Sequence, residues 1–361
     1  MRRWIPWLLV TAFLAIVVTR FGEVENLAQV LSEGAWGWVL AAGLLQLAYY
    51  GTYAATYQAA FDTVGVKARW RSLLSVTIAS VFVNVAAPSG GTAGAALFVD
   101  DAARRGESAP RAAVGALLTL VADYAAFAPI LLLGMTYLFS MHDLSLLEII
   151  SAALMMMLII GLAGVLLIGL WRPELLQHLL AWLERSANRL ARRLRQPAVL
   201  SPGWAHIYGE EFIAASTVIA ARPQATVRTL LIALLAHGVN MLSLLTVALA
   251  FHQQLSLGAL VSGYAMCILF LIISITPMGI GVVEAMMTLV FTSLGIPAHT
   301  AAVIALAYRG LSFWIPFGLG FVLFKRLPVF RSQRAGLPER PVSAAPGGPR
   351  PDPLPGDDLT G

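Results

Sequence analysis

Apolar runs of bilayer-spanning length recur along this chain, and two of them are broken in the same way, 189 positions apart. The first break reads Asn84-Val85-Ala86-Ala87-Pro88-Ser89-Gly90-Gly91-Thr92, the second Ile275-Thr276-Pro277-Met278-Gly279-Ile280-Gly281. Each apolar stretch runs into Pro-x-Gly and then resumes for less than the roughly 20 residues that a crossing needs. Interrupted hydrophobic segments at matching places in two halves point to a transporter-like site near the bilayer midplane. Backbone that leaves the helix at that depth is tolerated only where protein or a water-filled cavity satisfies it.

Composition agrees with a core built inside lipid. The 361 residues are 58% hydrophobic and 12% charged, about half the charge of a soluble domain, and mean hydropathy is +0.78. The single cysteine, Cys267, sits in an apolar run and reads as a small buried hydrophobe. The six histidines lack metal-ligand spacing, so neither a metal nor a cofactor is expected. The net charge of +5 comes from arginines between spans, where they set topology. It is not a nucleic-acid signal.

Residues 4–19 read as an uncleaved first span behind Arg2 and Arg3, and residues 21–35 as a short surface amphipathic helix. Spans follow at 36–60, 112–139, 146–171, 229–251 and 301–324. The segments 73–99 and 257–295 read as broken hairpins. The second has a first arm long enough to cross. Basic residues then put both termini and the insert 172–228 in the cytoplasm, with 141–145 and 252–254 outside. Within the insert, Leu176, Leu179, Leu180, Leu183, Leu190 and Leu194 share a helix with Arg185, Arg189, Arg192, Arg193 and Arg195. That pattern suits an interfacial helix on anionic headgroups; a helix docked on the bundle with a solvated arginine face is the plain alternative. Seven prolines between 336 and 361 mark a disordered cytoplasmic tail over 328–361.

The expected architecture is therefore an all-α polytopic bundle over 1–327. It has about six full spans plus two broken or re-entrant helical hairpins, or eight spans if both hairpins cross. The 189-residue offset also relates span to span, giving copies at about 36–140 and 225–324. The first begins outside and the second inside, an inverted-topology repeat.

Few residues offer chemistry. In each break the proline ends one half-helix, the glycines allow a sharp turn, and the next half-helix presents N–H groups and a positive dipole end. Asn84, Pro88, Ser89, Gly90, Gly91 and Thr92 in the first copy, with Pro277, Gly279 and Gly281 in the second, form the expected anion site. Phosphate is the anion that suits a membrane substrate. Ionisable residues inside spans are costly and face a partner or a cavity. They are Asp123, Glu284 and Arg309, with His237 and Asn240 as polar companions. Glu284 and Arg309 lie on adjacent elements and can neutralise each other, as a gate, a headgroup contact or a packing pair. Asp123 beside Tyr124 suggests a hydrogen-bonded pair. Asp100-Asp101 lacks the further acids that a two-carboxylate metal site needs.

The run Thr276-Pro277-Met278-Gly279-Ile280-Gly281-Val282-Val283-Glu284-Ala285, then Gly295-Ile296-Pro297, Ala307-Tyr308-Arg309-Gly310 and Phe313-Trp314-Ile315-Pro316 with Gly318, resembles one family's C-terminal signature. The family is the lysylphosphatidylglycerol synthase transmembrane region family, also called flippase-like. Asn84 with Pro88-Ser89-Gly90-Gly91 and Arg104-Arg105-Gly106 resembles its N-terminal signature, although Ala95 stands where many members carry an acid. Tyr308, inside the second signature, joins the supporting residues. The resemblance covers roughly 4–327. It implies a multi-pass cell-membrane protein that moves a lipid or lipid-linked intermediate between leaflets, with anionic membrane lipids as partners. Bifunctional members add a soluble aminoacyl-transferase domain. Here a proline-rich tail follows Leu327, so no synthase activity is expected. Alternatives are an accessory protein that docks a lipid-modifying or glycosyl-transferring enzyme, and a small-anion transporter.

Overall fold

A computed structural model describes residues 34–86, 92–141, 146–193, 203–274 and 276–326. Every regular element among them is helical. The expected first span, most of the surface helix before Ala35, residues 87–91 of the first break, Leu194 and the tail lie outside the described residues.

Helix α1 (Trp36–Val64) ends at Gly65, whose φ of 80° lets its N–H turn back to the last carbonyls. Helices α2 (Trp70–Ala86) and α3 (Thr92–Arg104) flank the first break. Helix α4 (Ala109–Ser140) starts on Ser108, whose side chain accepts from Arg111 N. Helix α5 (Leu146–Trp171) has the bounds expected of it. Helices α6 (Pro173–Arg193) and α7 (Trp204–Ala221) fill the insert. Helix α8 (Pro223–Ala250) begins six residues before the expected start at 229, because Pro223 occupies its first turn, where a missing N–H costs nothing. The second break lies between α9 (Leu257–Ile273) and α10 (Val282–Ser293). The last long helix is α11 (Ala298–Arg309), a π-helical turn (Gly310–Trp314) and α12 (Ile315–Arg326).

The five expected full spans within the described residues are thus all long helices. Four have both the length and the hydropathy to cross a membrane: α4, α5, α8 and the α11–α12 unit. Helix α1, at 29 residues, has the length but not the hydropathy. Gln46, Tyr49, Tyr50, Tyr53 and Tyr57 interrupt its apolar surface, and the site explains why. The hairpin arms are shorter, 17 and 13 residues for α2 and α3, and 17 and 12 for α9 and α10. At 1.5 Å per residue that is about 25 Å and 18–20 Å, against a hydrocarbon core of about 30 Å. Residues 257–273, which the sequence alone leaves able to cross, match the first arm of the other hairpin in length.

The order long helix, two short helices, long helix occurs twice. The starts at Trp36, Trp70, Thr92 and Ala109 recur at Pro223, Leu257, Val282 and Ala298, each 187 to 190 positions later. The first helices of the two sets, α1 and α8, pack antiparallel along their length. Ala35 N donates to Ala250 O at one end (2.9 Å). Gln46 reaches Asn240 and Ser243 midway. At the other end Arg222 donates to the carbonyl of Thr63.

Two large apolar clusters hold the described bundle. One joins α4, α5, α8, α9, α10 and α11 around Phe127, Leu131, Phe291 and Tyr264. The other joins α1, α2, α3 and α4 around Phe61, Leu73, Phe98 and Val114. Helices α4 and α9 meet at Gly134, where an added Cβ would lie 2.9 Å from the Cβ of Ala265, and Ser262 donates to the Gly134 carbonyl. Small residues at such crossings let backbones approach.

Candidate functional site

The second break is built by three left-handed residues. Met278 (φ 51°), Gly279 (φ 69°) and Gly281 (φ 82°) reverse the chain within five positions. Glycine adopts this conformation freely; Met278 pays about 1–3 kcal/mol for it. That strain is held by Arg309, whose Nη2 donates to the Met278 carbonyl at 2.9 Å. The Arg309 Nε donates to Glu284 Oε1 at 2.9 Å, and the guanidinium lies 4.5 Å from the centroid of the Phe313 ring. The side chains of Arg309 and Glu284 are 3% and 17% exposed. The two residues therefore neutralise each other and clamp the broken hairpin to the last long helix.

Glu284 also changes the reading of this turn. Its Oε2 accepts from Gly281 N at 2.7 Å, so a carboxylate already covers the N-terminus of α10 that the sequence reading leaves free for a phosphate. At the first break, Asn84 Oδ1 accepts from Gly94 N at 2.7 Å and so caps α3 from the preceding helix. A Cβ at Gly94 would lie 2.6 Å from that amide, so only glycine leaves room. Pro88, Ser89, Gly90 and Gly91 lie outside the described residues, and Thr92 is described only as the first residue of α3.

Between the two breaks lies a cavity of about 340 Å³. Tyr49, Tyr50, Tyr53 and Tyr57 of α1 form one wall. Thr77, Ser80 and Asn84 of α2 face it with Gly94 and Ala95 of α3. Asp123 and Tyr124 come from α4, His237 and Asn240 from α8, Cys267 and Ile268 from α9, Ser274, Thr276 and Met278 from the break, and Tyr308, Arg309 and Ser312 from the last helix. The cavity thus gathers Asn84, Asp123, Tyr124, His237, Asn240, Tyr308 and Arg309. Gly279, Gly281 and Glu284 stand behind it and shape the turn. Pro277 opens the short 3-10 turn between α9 and α10.

A buried polar chain leaves the cavity. Asp123 does not pair with Tyr124; successive residues on a helix point about 100° apart. Its carboxylate instead lies 3.4 Å from His237 Nε2, and that nitrogen is 3.1 Å from the Asp123 carbonyl. A carbonyl only accepts, so Nε2 carries the proton. His237 Nδ1 then accepts from the Tyr264 hydroxyl, 2.7 Å away. Asn240 Nδ2 donates to that hydroxyl, while Asn240 Oδ1 accepts from Tyr308 and Gln46, both at 2.9 Å. Gln46 continues to Ser243, which donates to the Ala42 carbonyl. Beyond Asp123, the residues of this chain are all under 5% exposed. The network ties five helices, α1, α4, α8, α9 and α11, in one register, with Gln46 Oε1 its one buried atom left without a partner.

The tyrosine wall and Gln46 escape sequence reasoning centred on charges. The signal was present: Tyr49, Tyr53 and Tyr57 recur every four residues on one face of a span, although tyrosine belongs at membrane interfaces. Tyr50 has a distinct task, since its hydroxyl donates to the Ser312 carbonyl at 2.8 Å, inside the π-helical turn. Such turns loosen the carbonyl ladder and recur at functional sites. Asp100 and Asp101 are each paired with an arginine one turn on, Arg104 at 2.8 Å and Arg105 at 2.9 Å. They are helix-surface ion pairs. On α6 the expected leucine face is divided: Leu176 is buried, whereas Leu175, Leu179, Trp182 and Leu183 are exposed.

Compared with known proteins, the chain matches the sequence model of the lysylphosphatidylglycerol synthase TM region across residues 4–320. No curated protein matches it. The match takes in both sets of helices, both breaks and the whole cavity. With its membrane-spanning helices, the chain is a multi-pass membrane protein that belongs to the lysylphosphatidylglycerol synthase TM region family.

Proposed function

We propose that the protein is a translocase that carries the polar headgroup of a membrane lipid, or of a lipid-linked intermediate, between leaflets through the tyrosine-walled cavity. The observation behind this reading is the cavity itself: phenols, hydroxyls, Asp123 and Arg309 turned inward by a bundle whose outer surfaces are apolar. A headgroup leaving water needs donors and acceptors to replace its hydration. A volume of about 340 Å³ falls at the low end of ligand sites, which run from about 300 to 1,000 Å³. It has room for a headgroup but not for acyl chains, which stay in the bilayer.

The repeated helix order and the antiparallel α1–α8 pair support an inverted repeat, the arrangement in which one half rocks against the other around a fixed site. Two carboxylates, Asp123 and Glu284, stand against one guanidinium, Arg309. That balance favours a headgroup whose phosphate meets Arg309 while its hydroxyl or amine groups meet Asp123 and the phenols. It disfavours a transporter of free small anions.

The test is purified protein in liposomes holding fluorescent phosphatidylglycerol, phosphatidylethanolamine or polyprenyl phosphate, read by loss of outer-leaflet label to a membrane-impermeant quencher. Label in both leaflets should become quenchable, and Ala95→Phe, which fills the cavity, should abolish this at normal expression and melting temperature. Movement untouched by that substitution would remove the cavity from the account. A second reading, an accessory protein that docks a lipid-modifying enzyme, rests on the exposed Leu175, Leu179 and Trp182 of α6. It gains if no lipid moves.

A further inference from the structure

Asp123 and His237 form the one ionisable contact in the described cavity that the clamp on the second break does not use. Asp123 is 15% exposed on its side chain, toward the cavity, and His237 is 6% exposed behind it. The groups facing the pair are Tyr124 on its own helix, Tyr49, Tyr53 and Tyr57 on α1, Cys267 and Tyr264 on α9, and Tyr308 and Arg309 on α11. Phenols, thiols and guanidinium groups ordinarily change charge above about pH 8, and Arg309 is tied to Glu284. Among these groups the His237 imidazole is the one whose ordinary titration range spans neutral pH.

We propose that Asp123 and His237 are a proton-binding site, and that taking up a proton there reorganises the polar chain between the two repeats. The inference rests on the translocase reading for its purpose but not for its existence. With no added proton, His237 donates through Nε2 and accepts at Nδ1 from Tyr264. If the proton settles on Nδ1, that nitrogen becomes a donor, and the Tyr264 hydroxyl must accept from it and point its own hydrogen elsewhere. The neighbour on that side is the Asn240 amide, which now donates. To accept from Tyr264 it must turn over, and its oxygen then abandons Gln46 on α1 and Tyr308 on α11. A single proton from the cavity thus acts on contacts joining α1, α8 and α11, the helices that an alternating motion must part. Ionisable chains of Asp and His inside membranes serve this purpose in pumps and transporters.

The experiment is a pair of measurements on the intact protein in liposomes. Infrared difference spectra between pH 5 and 8 should show, beyond the bands that His237→Gln retains from the exposed histidines, an imidazole band together with tyrosine and amide side-chain bands. Asp123→Asn should remove that excess, and Tyr264→Phe should remove its tyrosine and amide part while leaving the imidazole band. Asp123→Glu should retain the whole excess. A pH gradient should then bias movement of fluorescent phosphatidylglycerol, by up to about tenfold per pH unit if one proton is carried. No such bands in the wild type, or bands indifferent to Asp123→Asn, would overturn the proton site whatever the lipids do. Bands with a lipid flux blind to the gradient would overturn the coupling. Bands present with no lipid moving would uphold the proton site and refute the translocase reading instead.

Discussion

Removing one partner of the Glu284–Arg309 clamp should cost far more than removing both. Arg309 is 3% exposed and makes three contacts: Glu284 Oε1 and the Met278 carbonyl, each at 2.9 Å, and the Phe313 ring at 4.5 Å. Arg309→Gln leaves the Glu284 carboxylate with the Gly281 N–H alone and leaves Met278 in its left-handed conformation without a hold. Glu284→Gln keeps the Gly281 contact but strands a buried guanidinium. Breaking a buried pair from either side costs about 3–5 kcal/mol. Taking both charges away removes the stranded charge, so the double variant loses chiefly the hydrogen bond to Met278, about 1–2 kcal/mol. The coupling between the two sites, the two single losses less the double loss, should then be about 4–9 kcal/mol. Reversible unfolding in mixed detergent micelles measures it across the four proteins of the cycle. Single losses below about 1 kcal/mol, or losses that simply add, would refute the clamp. The swap Glu284→Arg with Arg309→Glu should recover stability only in part, because a glutamate at 309 cannot also reach Met278.

Asn84→Ala should cost about 1 kcal/mol by uncapping α3, and Gly94→Ala should cost at least as much by displacing the same amide. The double variant should be little worse than the poorer single one, read by melting temperature. Tyr50→Phe should lose about 1 kcal/mol or more by leaving the Ser312 carbonyl unpaired at the π-helical turn, whereas Tyr53→Phe should scarcely alter stability. In a Cys267→Ala background, single cysteines at Arg189 and His252 should label from opposite sides of the membrane. Labelling from the same side would contradict the orientation read from the arginines.

Much of the architecture was legible because lipid imposes a strict length on apolar runs. Leu146–Trp171 has the bounds that its hydropathy sets. The second break falls where Pro-x-Gly puts it, since proline and glycine act locally. The Glu284–Arg309 pair was legible as well, because two buried charges on adjacent elements have few alternatives to each other. What escaped depends on direction rather than identity. Nothing in Glu284 as a letter says that its second oxygen turns back onto Gly281, so the α10 terminus read as open when it is covered. Asp123 read as Tyr124's partner because the two are neighbours in sequence, whereas helix geometry sends the carboxylate to His237 on another helix. The tyrosines of α1 were passed over because phenols carry no charge at neutral pH; their four-residue spacing became meaningful only beside the cavity they wall. The early start of α8 turns on Pro223, which hydropathy does not register.

Cross-linking shows whether a lipid headgroup enters the cavity. Phosphatidylglycerol carrying a photoreactive group on its headgroup is incorporated with the protein, illuminated, and the adducts are mapped by mass spectrometry. Adducts should fall on residues 49–57 of α1 and on Asp123 or Tyr124 of α4, and should disappear in Ala95→Phe. Adducts confined to outward-facing positions such as Leu44, Leu47 or the exposed face of α6, with none in the cavity, would contradict the account.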